Sequence, residues 1–288
     1  MIVTLTMNPA LDRTVELTDT LVPGQVQAAG AVREDPGGKG VNVARVVTAA
    51  GHPAAAVLPL AADDPLRLLL GDLRVLSVPI GTHARVNLTL TDPDGETTKI
   101  NLPGPVLTEE QRVRLIDAVV VASDGADWLV LSGSLPPGVA PDFYVDIALA
   151  VRARARKAPR IAVDTAGRAL VEAVASGAID LITPNEDELA ALGVSSLEEL
   201  VPDQVSAVLV TRGGDGAVLV DATGRYSAPA PDIEVRSTVG AGDAALAGYL
   251  IADVVGLAPQ ERVAAAVRYG SATAALPGTQ LASIPFRP

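Results

Sequence analysis

Ser237-Thr-Val-Gly240-Ala241-Gly242-Asp243-Ala-Ala-Leu-Ala-Gly-Tyr249 is the stretch on which the reading of this chain turns. Two glycines flanking one alanine let a backbone bend closely around a bound group, and the Ala/Leu-rich run after Asp243 predicts a helix through Leu250. N–H groups in the first turn of a helix lack partners inside it, and the positive end of the dipole lies behind them. A Gly-rich turn that opens a helix therefore suits a phosphoryl group. A carboxylate at Asp243 stands where it can take the proton of a hydroxyl attacking that group. The competing reading is a Gly-rich turn with Asp243 as an ordinary helix N-cap.

Outward from this stretch, short apolar or β-branched runs recur at Ile2 to Thr6, Trp128 to Leu131, Arg160 to Val163, Leu181 to Thr183 and Val208 to Thr211. Ala-rich segments of helical length lie between several of them, at Glu109 to Ala122, Phe143 to Lys157 and Ala169 to Ser176. Alternation of this kind predicts an α/β fold: a three-layer α/β/α core around a mostly parallel sheet buried on both faces. Ligands in such folds bind beyond the carboxyl ends of the strands. Two regions break the alternation. Arg85 to Asn101 reads as a hairpin around Asp92-Pro-Asp-Gly, and Asp12 to Glu34 lacks a helical pattern and carries Pro23-Gly24. Together, roughly 12–35 and 83–102, they predict a small β lid on a single domain spanning 1–288.

Composition narrows the function. Aliphatic residues must fill the core, because aromatic residues make up 2% of the chain. The net charge of -12 speaks against non-specific nucleic-acid binding, which needs Lys and Arg to neutralise phosphates. With no cysteine there are no disulfides and no thiolate chemistry. The N-terminus lacks a secretory pattern and no apolar run reaches the roughly 18 residues of a membrane span, so a cytoplasmic protein is expected.

The other chemistry-bearing segments each allow a plain alternative. Pro36-Gly37-Gly38-Lys39-Gly40-Val-Asn42 offers a backbone cradle with one fixed cation and an amide suited to sugar hydroxyls, or else a flexible turn with a solvated lysine. The spacing is not that of a Walker loop. In the hairpin, Arg85 and Asn87 share one strand face, as do Lys99 and Asn101. If the two pairs face the same way they grip a phosphorylated sugar; otherwise they form a solvent-facing stripe. Asp12 follows the first strand and can accept hydrogen bonds from two neighbouring hydroxyls. Asn185 and Glu188 lie on one helix face, where they can order Mg²⁺ through water or form a capping box. Thr211 to Gly216 reads as a strand and tight turn able to border a nucleotide.

In their order, Asn8-Pro-Ala-Leu-Asp12, Gly37-Gly38-Lys39-Gly40-Val-Asn42, Arg85-Val-Asn87, Ser132-Gly-Ser134-Leu-Pro-Pro-Gly, Asn185-Glu-Asp-Glu188, Thr211-Arg-Gly213-Gly-Asp-Gly216 and Gly240-Ala-Gly-Asp243 resemble the ribokinase-like carbohydrate kinases of the PfkB family over nearly the whole chain. The Arg85-x-Asn87 pair with Thr98-Lys-Ile-Asn101-Leu-Pro-Gly resembles the branch of 1-phosphofructokinase and tagatose-6-phosphate kinase. The resemblance implies an ATP-dependent, Mg²⁺-assisted kinase of a ketohexose phosphate, with fructose 1-phosphate first among substrates; the alternatives are tagatose 6-phosphate, fructose 6-phosphate or an unphosphorylated sugar as acceptor, and, without catalysis, a degenerate sugar-phosphate or nucleotide sensor. Asp243 would be the base, the amides of Ala241, Gly242 and Asp243 would stabilise charge on the transferred group, and Gly240 would belong to the same catalytic turn. The substrate would be held by Asp12, Gly37, Gly38, Lys39, Asn42, Arg85, Asn87, Lys99, Asn101 and Ser134. The nucleotide would lie against Asn185, Glu188, Thr211, Gly213 and Gly216, and Glu188 would reach the metal through water. A homodimer through the lid is implied as well. The chain departs from the family pattern in a shortened Val57 to Gly81 stretch, in Ala84 before the arginine, and in Ala244 after the base.

Overall fold

The computed structural model describes residues 1–286. The chain starts in the core with β1 (Ile2–Thr6) and leaves it for the lid strands β2 (Ala10–Leu17) and β3 (Ala29–Gly37). It returns through α1 (Lys39–Ala49), β4 (Ala54–Leu60), the single turn α2 (Leu66–Leu69) and β5 (Val75–Pro79), then crosses the lid again as β6 (Arg85–Thr91) and β7 (Thr97–Asn101). Regular alternation follows: α3 (Glu109–Ser123), β8 (Trp128–Ser132), α4 (Phe143–Arg154), β9 (Arg160–Asp164), α5 (Gly167–Ala175), β10 (Ile179–Ile182), α6 (Glu186–Ala191) and β11 (Val205–Thr211). The antiparallel edge β12 (Ala217–Asp221) and β13 (Gly224–Ala228) precedes the paired helices α7 (Ala241–Val254) and α8 (Pro259–Ala274).

The large sheet runs β13-β12-β11-β10-β9-β8-β1-β4-β5 and is parallel except at the β11–β12–β13 edge. Its central strands are apolar at successive positions because both faces are covered. In β8, Leu129 and Leu131 pack toward the layer containing Leu115, Tyr144 and Ile147. Trp128 and Val130 point the other way, among Val43, Leu246, Leu250 and Tyr269. The short 57–81 connection is closed by its own cluster of Leu58, Leu60, Leu66 and Leu70. One buried charge is tied into this core: Asp253, its side chain 1% exposed, accepts from Trp128 Nε1 at 2.8 Å and pairs with Arg262 at 2.8 Å and with Arg160.

The lid is a four-stranded sheet in the order β3-β2-β6-β7. Its hairpin turn is held by Asp92, whose Oδ1 accepts from the N–H groups of Asp94 and Glu96, while Gly95 takes the positive φ of 85°. Register aligns Asp35, Asp12, Asn87 and Asn101 in one row across the four strands, so the pairs 85/87 and 99/101 do share a face. The opposite face carries Val32, Val15 and Leu90 in one row and Leu88 and Ile100 in the next.

Candidate active site

A cavity of about 680 Å³ opens at the carboxyl ends of β1, β8, β9 and β10, under the lid. Lys39 and Asn42 reach it from the first turn of α1. Gly38 makes that entry possible. Its φ is +117°, and a Cβ there would stand 2.7 Å from Thr6 Cγ2. At Gly37 a Cβ would stand 2.3 Å from Asp12 Oδ2, so the glycine lets the lid strand close down on that carboxylate.

Asp243 lies at the floor, 6% exposed. Gly240, at φ 76°, is the N-cap of α7, so Asp243 is the third helical residue and not the cap that the plain reading allowed. Asn42 donates to Asp243 Oδ2 at 2.8 Å, although the two are 201 residues apart. Burial pushes the Asp243 carboxyl up to about 7, the charge of Asp164 adds to this, and Lys39 and Asn42 oppose it. Ala241 N–H turns back to Thr238 O at 3.3 Å, and the next intrahelical bond runs from Ala244 N to Gly240 O at 2.9 Å. The N–H groups of Gly242 and Asp243 are left for a ligand, and nothing lies within 4 Å of where a Cβ of Gly242 would be.

Under the lid, Asp12 Oδ1 accepts from Asn87 Nδ2 at 2.8 Å. Burial raises the Asp12 carboxyl above its ordinary value against the opposing Asn87 bond and Arg85 charge. Arg85 and Asn87 line the cavity; Lys99 and Asn101 share their sheet face but sit on the exposed outer strand, away from the cavity wall. Ser134 accepts from Asn8 Nδ2 at 3.1 Å at the rim. Five buried polar atoms of cavity residues make no protein hydrogen bond: Thr6 Oγ1, Asn8 Oδ1, Arg85 Nε, Asn87 Oδ1 and Thr183 Oγ1. Such atoms are costly unless a ligand or water meets them, and hydroxyls and phosphate oxygens have the matching chemistry.

Asn185 and Glu188 both line the cavity and form a capping box on α6: Asn185 Oδ1 accepts from Glu188 N at 2.8 Å, and Glu188 Oε2 from Asn185 N at 3.0 Å. One carboxylate oxygen of Glu188 is thereby committed to the backbone. Among the described residues no group of three or more His, Cys, Asp or Glu side chains converges as a metal cage. Thr211 lies between this cavity and a second one of about 440 Å³, lined by Gly213, Gly216, Ala217, Ile233, Val235 and the Ala/Gly faces of α7 and α8. The two cavities share Thr211, Thr238 and Gly242, so the glycine turn is the ridge between them.

Asp164, the last residue of β9, accepts from Lys39 Nζ at 2.8 Å, and Thr6, Thr165, Thr183 and Thr238 line the cavity too, none of them singled out by a motif, while Asn8 opens the first motif without a role of its own. Most of these stand at or just past a strand end, so the strand-end rule already pointed to them.

A polar cavity under a lid and an apolar cleft, meeting at a helix-opening glycine turn with a buried carboxylate, define a ribokinase-like sugar kinase. A model of the pfkB family of carbohydrate kinases matches residues 3–286. The chain is 34% identical to the ATP-dependent 6-phosphofructokinase isozyme 2 of Escherichia coli over 98% of its own length and 95% of the relative. It is also 34% identical to the 1-phosphofructokinase of Rhodobacter capsulatus over 94% and 90% of the two chains. The crystal structure of phosphofructokinase-2 from Escherichia coli in complex with potassium superposes with a TM-score of 0.90 at 32% identity, covering 97% of this chain and 94% of that one. A ribokinase of Thermotoga maritima, 22% identical with a TM-score of 0.79, shares the fold. This chain belongs to the pfkB family of carbohydrate kinases and is a phosphotransferase that takes ATP as donor.

Proposed function

We propose that this fructose-phosphate kinase converts fructose 1-phosphate to fructose 1,6-bisphosphate in the cytoplasm. The observation that carries this reading is the joining of the two cavities at Gly242, beside Asp243. The aliphatic cleft takes the base of ATP and the polar cavity takes the sugar, so the γ-phosphoryl group lies over the N–H groups of Gly242 and Asp243. Arg85, whose buried Nε lacks a protein partner, meets the phosphate already on the sugar, and Asn42 and Asn87 of the cavity wall, with Asp12 bonded to Asn87 behind them, take its hydroxyls. Asp243 removes the proton from the attacking hydroxyl. A base near neutrality is matched to that task, because it is free enough to accept a proton and basic enough to hold it. The two N–H groups and the Lys39 ammonium face the charge that spreads over the transferred oxygens.

Mg²⁺ fits the hard-oxygen character of the site. Glu188 would hold it through water together with the phosphates of ATP, in keeping with the few carboxylates such an ion needs. When bound, the ion would neutralise phosphate charge. The apolar outer face of the lid, with Val32 58% and Ile100 45% exposed, supports a homodimer in which a second copy covers it.

The test is ADP release with MgATP over fructose 1-phosphate, tagatose 6-phosphate, fructose 6-phosphate, fructose and ribose. Turnover highest on fructose 1-phosphate supports the reading, and turnover confined to an unphosphorylated sugar sinks the role given to Arg85. A second reading, fructose 6-phosphate as acceptor, is favoured by the identity to the Escherichia coli isozyme and predicts the same product.

A further inference from the structure

We infer that Asp164 is a positioning residue: it diverts the Lys39 ammonium from Asp243, so that the carboxylate that takes the proton stays unpaired and basic. The inference rests on Asp243 being the proton acceptor.

Lys39 is the first residue of α1, the helix end whose partial charge repels a cation, and that turn has neither an acidic residue nor a side-chain cap. Placed there beside two carboxylates, the ammonium must choose between them. Asp243 has Asn42 as its hydrogen-bond donor, and Lys39 Nζ bonds Asp164 Oδ1 at 2.8 Å instead. Asp164 is 7% exposed on its side chain and Lys39 39%, so the pair is anchored at the carboxylate and not at the lysine.

The anchor is rigid. Asp164 pairs in register with Ser132 across β8 and β9. Its carbonyl accepts from Gly133 N at 2.9 Å, Thr165 Oγ1 donates to Gly133 O at 2.9 Å, and the buried Tyr144 hydroxyl donates to the carbonyls of Ser132 and Gly133 at 3.1 Å. No such clamp holds the long, flexible lysine side chain.

The consequence concerns base strength. A carboxylate in direct contact with an ammonium loses basicity and becomes a poor proton acceptor. With Lys39 held on Asp164, the lysine charge and the Asn42 hydrogen bond only partly offset the rise that burial gives Asp243, and the charge of Asp164 adds to that rise. The charged groups facing Asp243 are Asp164 from β9, Lys39 from α1 and Asp12 from β2; those facing Lys39 are Asp164, Asp243 and Glu188 from α6. Burial disfavours the Lys39 ammonium, but these carboxylates outweigh it and keep the lysine charged throughout the working range. The cation therefore stays available to the transferred phosphoryl group without quenching the base.

The experiment is the pH profile of kcat/KM for Asp164→Asn and Asp164→Glu, using whichever sugar phosphate the wild type turns over. In Asp164→Asn the freed ammonium moves to Asp243. The acid limb of the profile is expected to shift down by at least one pH unit, more than the same substitution shifts it in a Lys39→Gln background where only the Asp164 charge is lost, and the plateau kcat to fall ten- to a hundredfold because a weaker base remains. Equal shifts in the two backgrounds overturn the inference. Asp164→Glu keeps the charge, and its acid limb stays with the wild type. A mutant in which the limb does not move, or in which only the Mg²⁺ requirement rises, overturns the inference. If Asp164→Asn does not fold, Lys39→Gln gives the same information from the other side. With the cation gone, the two carboxylates repel unopposed and the limb must move up; a limb that stays put overturns the inference equally. Asp243→Asn is the control that separates the two claims. Loss of turnover there with an unmoved limb in Asp164→Asn sinks only the role of Asp164, and retained turnover sinks the base itself.

Discussion

Replacing Asp243 by Asn leaves the side-chain size and an oxygen for Asn42 but removes the carboxylate proposed as proton acceptor, so catalysis and stability should respond in opposite directions. Loss of a general base costs about 10²- to 10⁴-fold in kcat, with little change in the KM values because ground-state contacts remain. Stability follows from the raised carboxyl. The folded-state value of about 7 stands above the ordinary 3.8, so between those pH values the folded protein holds a proton that the unfolded chain has released. Wild-type stability must therefore fall as pH rises through that window. Above it, the ionised carboxylate costs the fold roughly 4 kcal/mol, the gap taken at 1.36 kcal/mol per pH unit. The Asn variant lacks this slope. Urea unfolding followed by circular dichroism should show both proteins equally stable below pH 4, and the variant ahead by up to about 4 kcal/mol at pH 8. In parallel, wild-type kcat/KM should decline below pH of about 7, as the base takes up its proton. A stability difference that is constant across pH would refute the burial argument, and near-normal turnover of the variant would refute the assignment of the base.

Two further perturbations test the scaffold. Asp253→Ala strands Arg160, Arg262 and the Trp128 indole N–H around a vacated buried position and should cost about 3–5 kcal/mol in urea unfolding; a loss below about 1 kcal/mol would show that the cluster relaxes into solvent. Leu90→Lys puts a charge in the middle of the outer lid face and should halve the mass seen by sedimentation while leaving the melting temperature within a few degrees. A wild type that sediments as a single chain would remove the dimer reading.

Much of this protein is legible in local pattern, because local pattern is set by local physics. The continuous apolar run of β8 announces a strand buried on both faces, and Asp92-Pro-Asp-Gly announces its hairpin through a carboxylate that caps its own turn. The glycines of the 240–243 turn mark where backbone must bend and where N–H groups must remain free. The segments alternating after Glu109 predict the parallel sheet, and with it the edge at which ligands gather. Helix limits shift by a few residues, as at α4, which ends at Arg154 and not Lys157, since helix ends fray and their caps compete.

What the tertiary structure alone decides is convergence. Gly37 looks like any turn glycine until the lid register sets it against Asp12, and Asn42 reaches Asp243 only because α1 and α7 pack on the same face of the sheet. Register likewise puts Arg85 and Lys99 on one face, but only the packing of the lid sends Arg85 into the cavity and leaves Lys99 outside. That Glu188 caps Asn185 and that Lys39 bonds Asp164 are outcomes of competition among nearby groups. A linear chain names the competitors. Three-dimensional packing sets the distances, and hydrogen bonds and charge interactions fall off too steeply with distance for the outcome to be read before those are known.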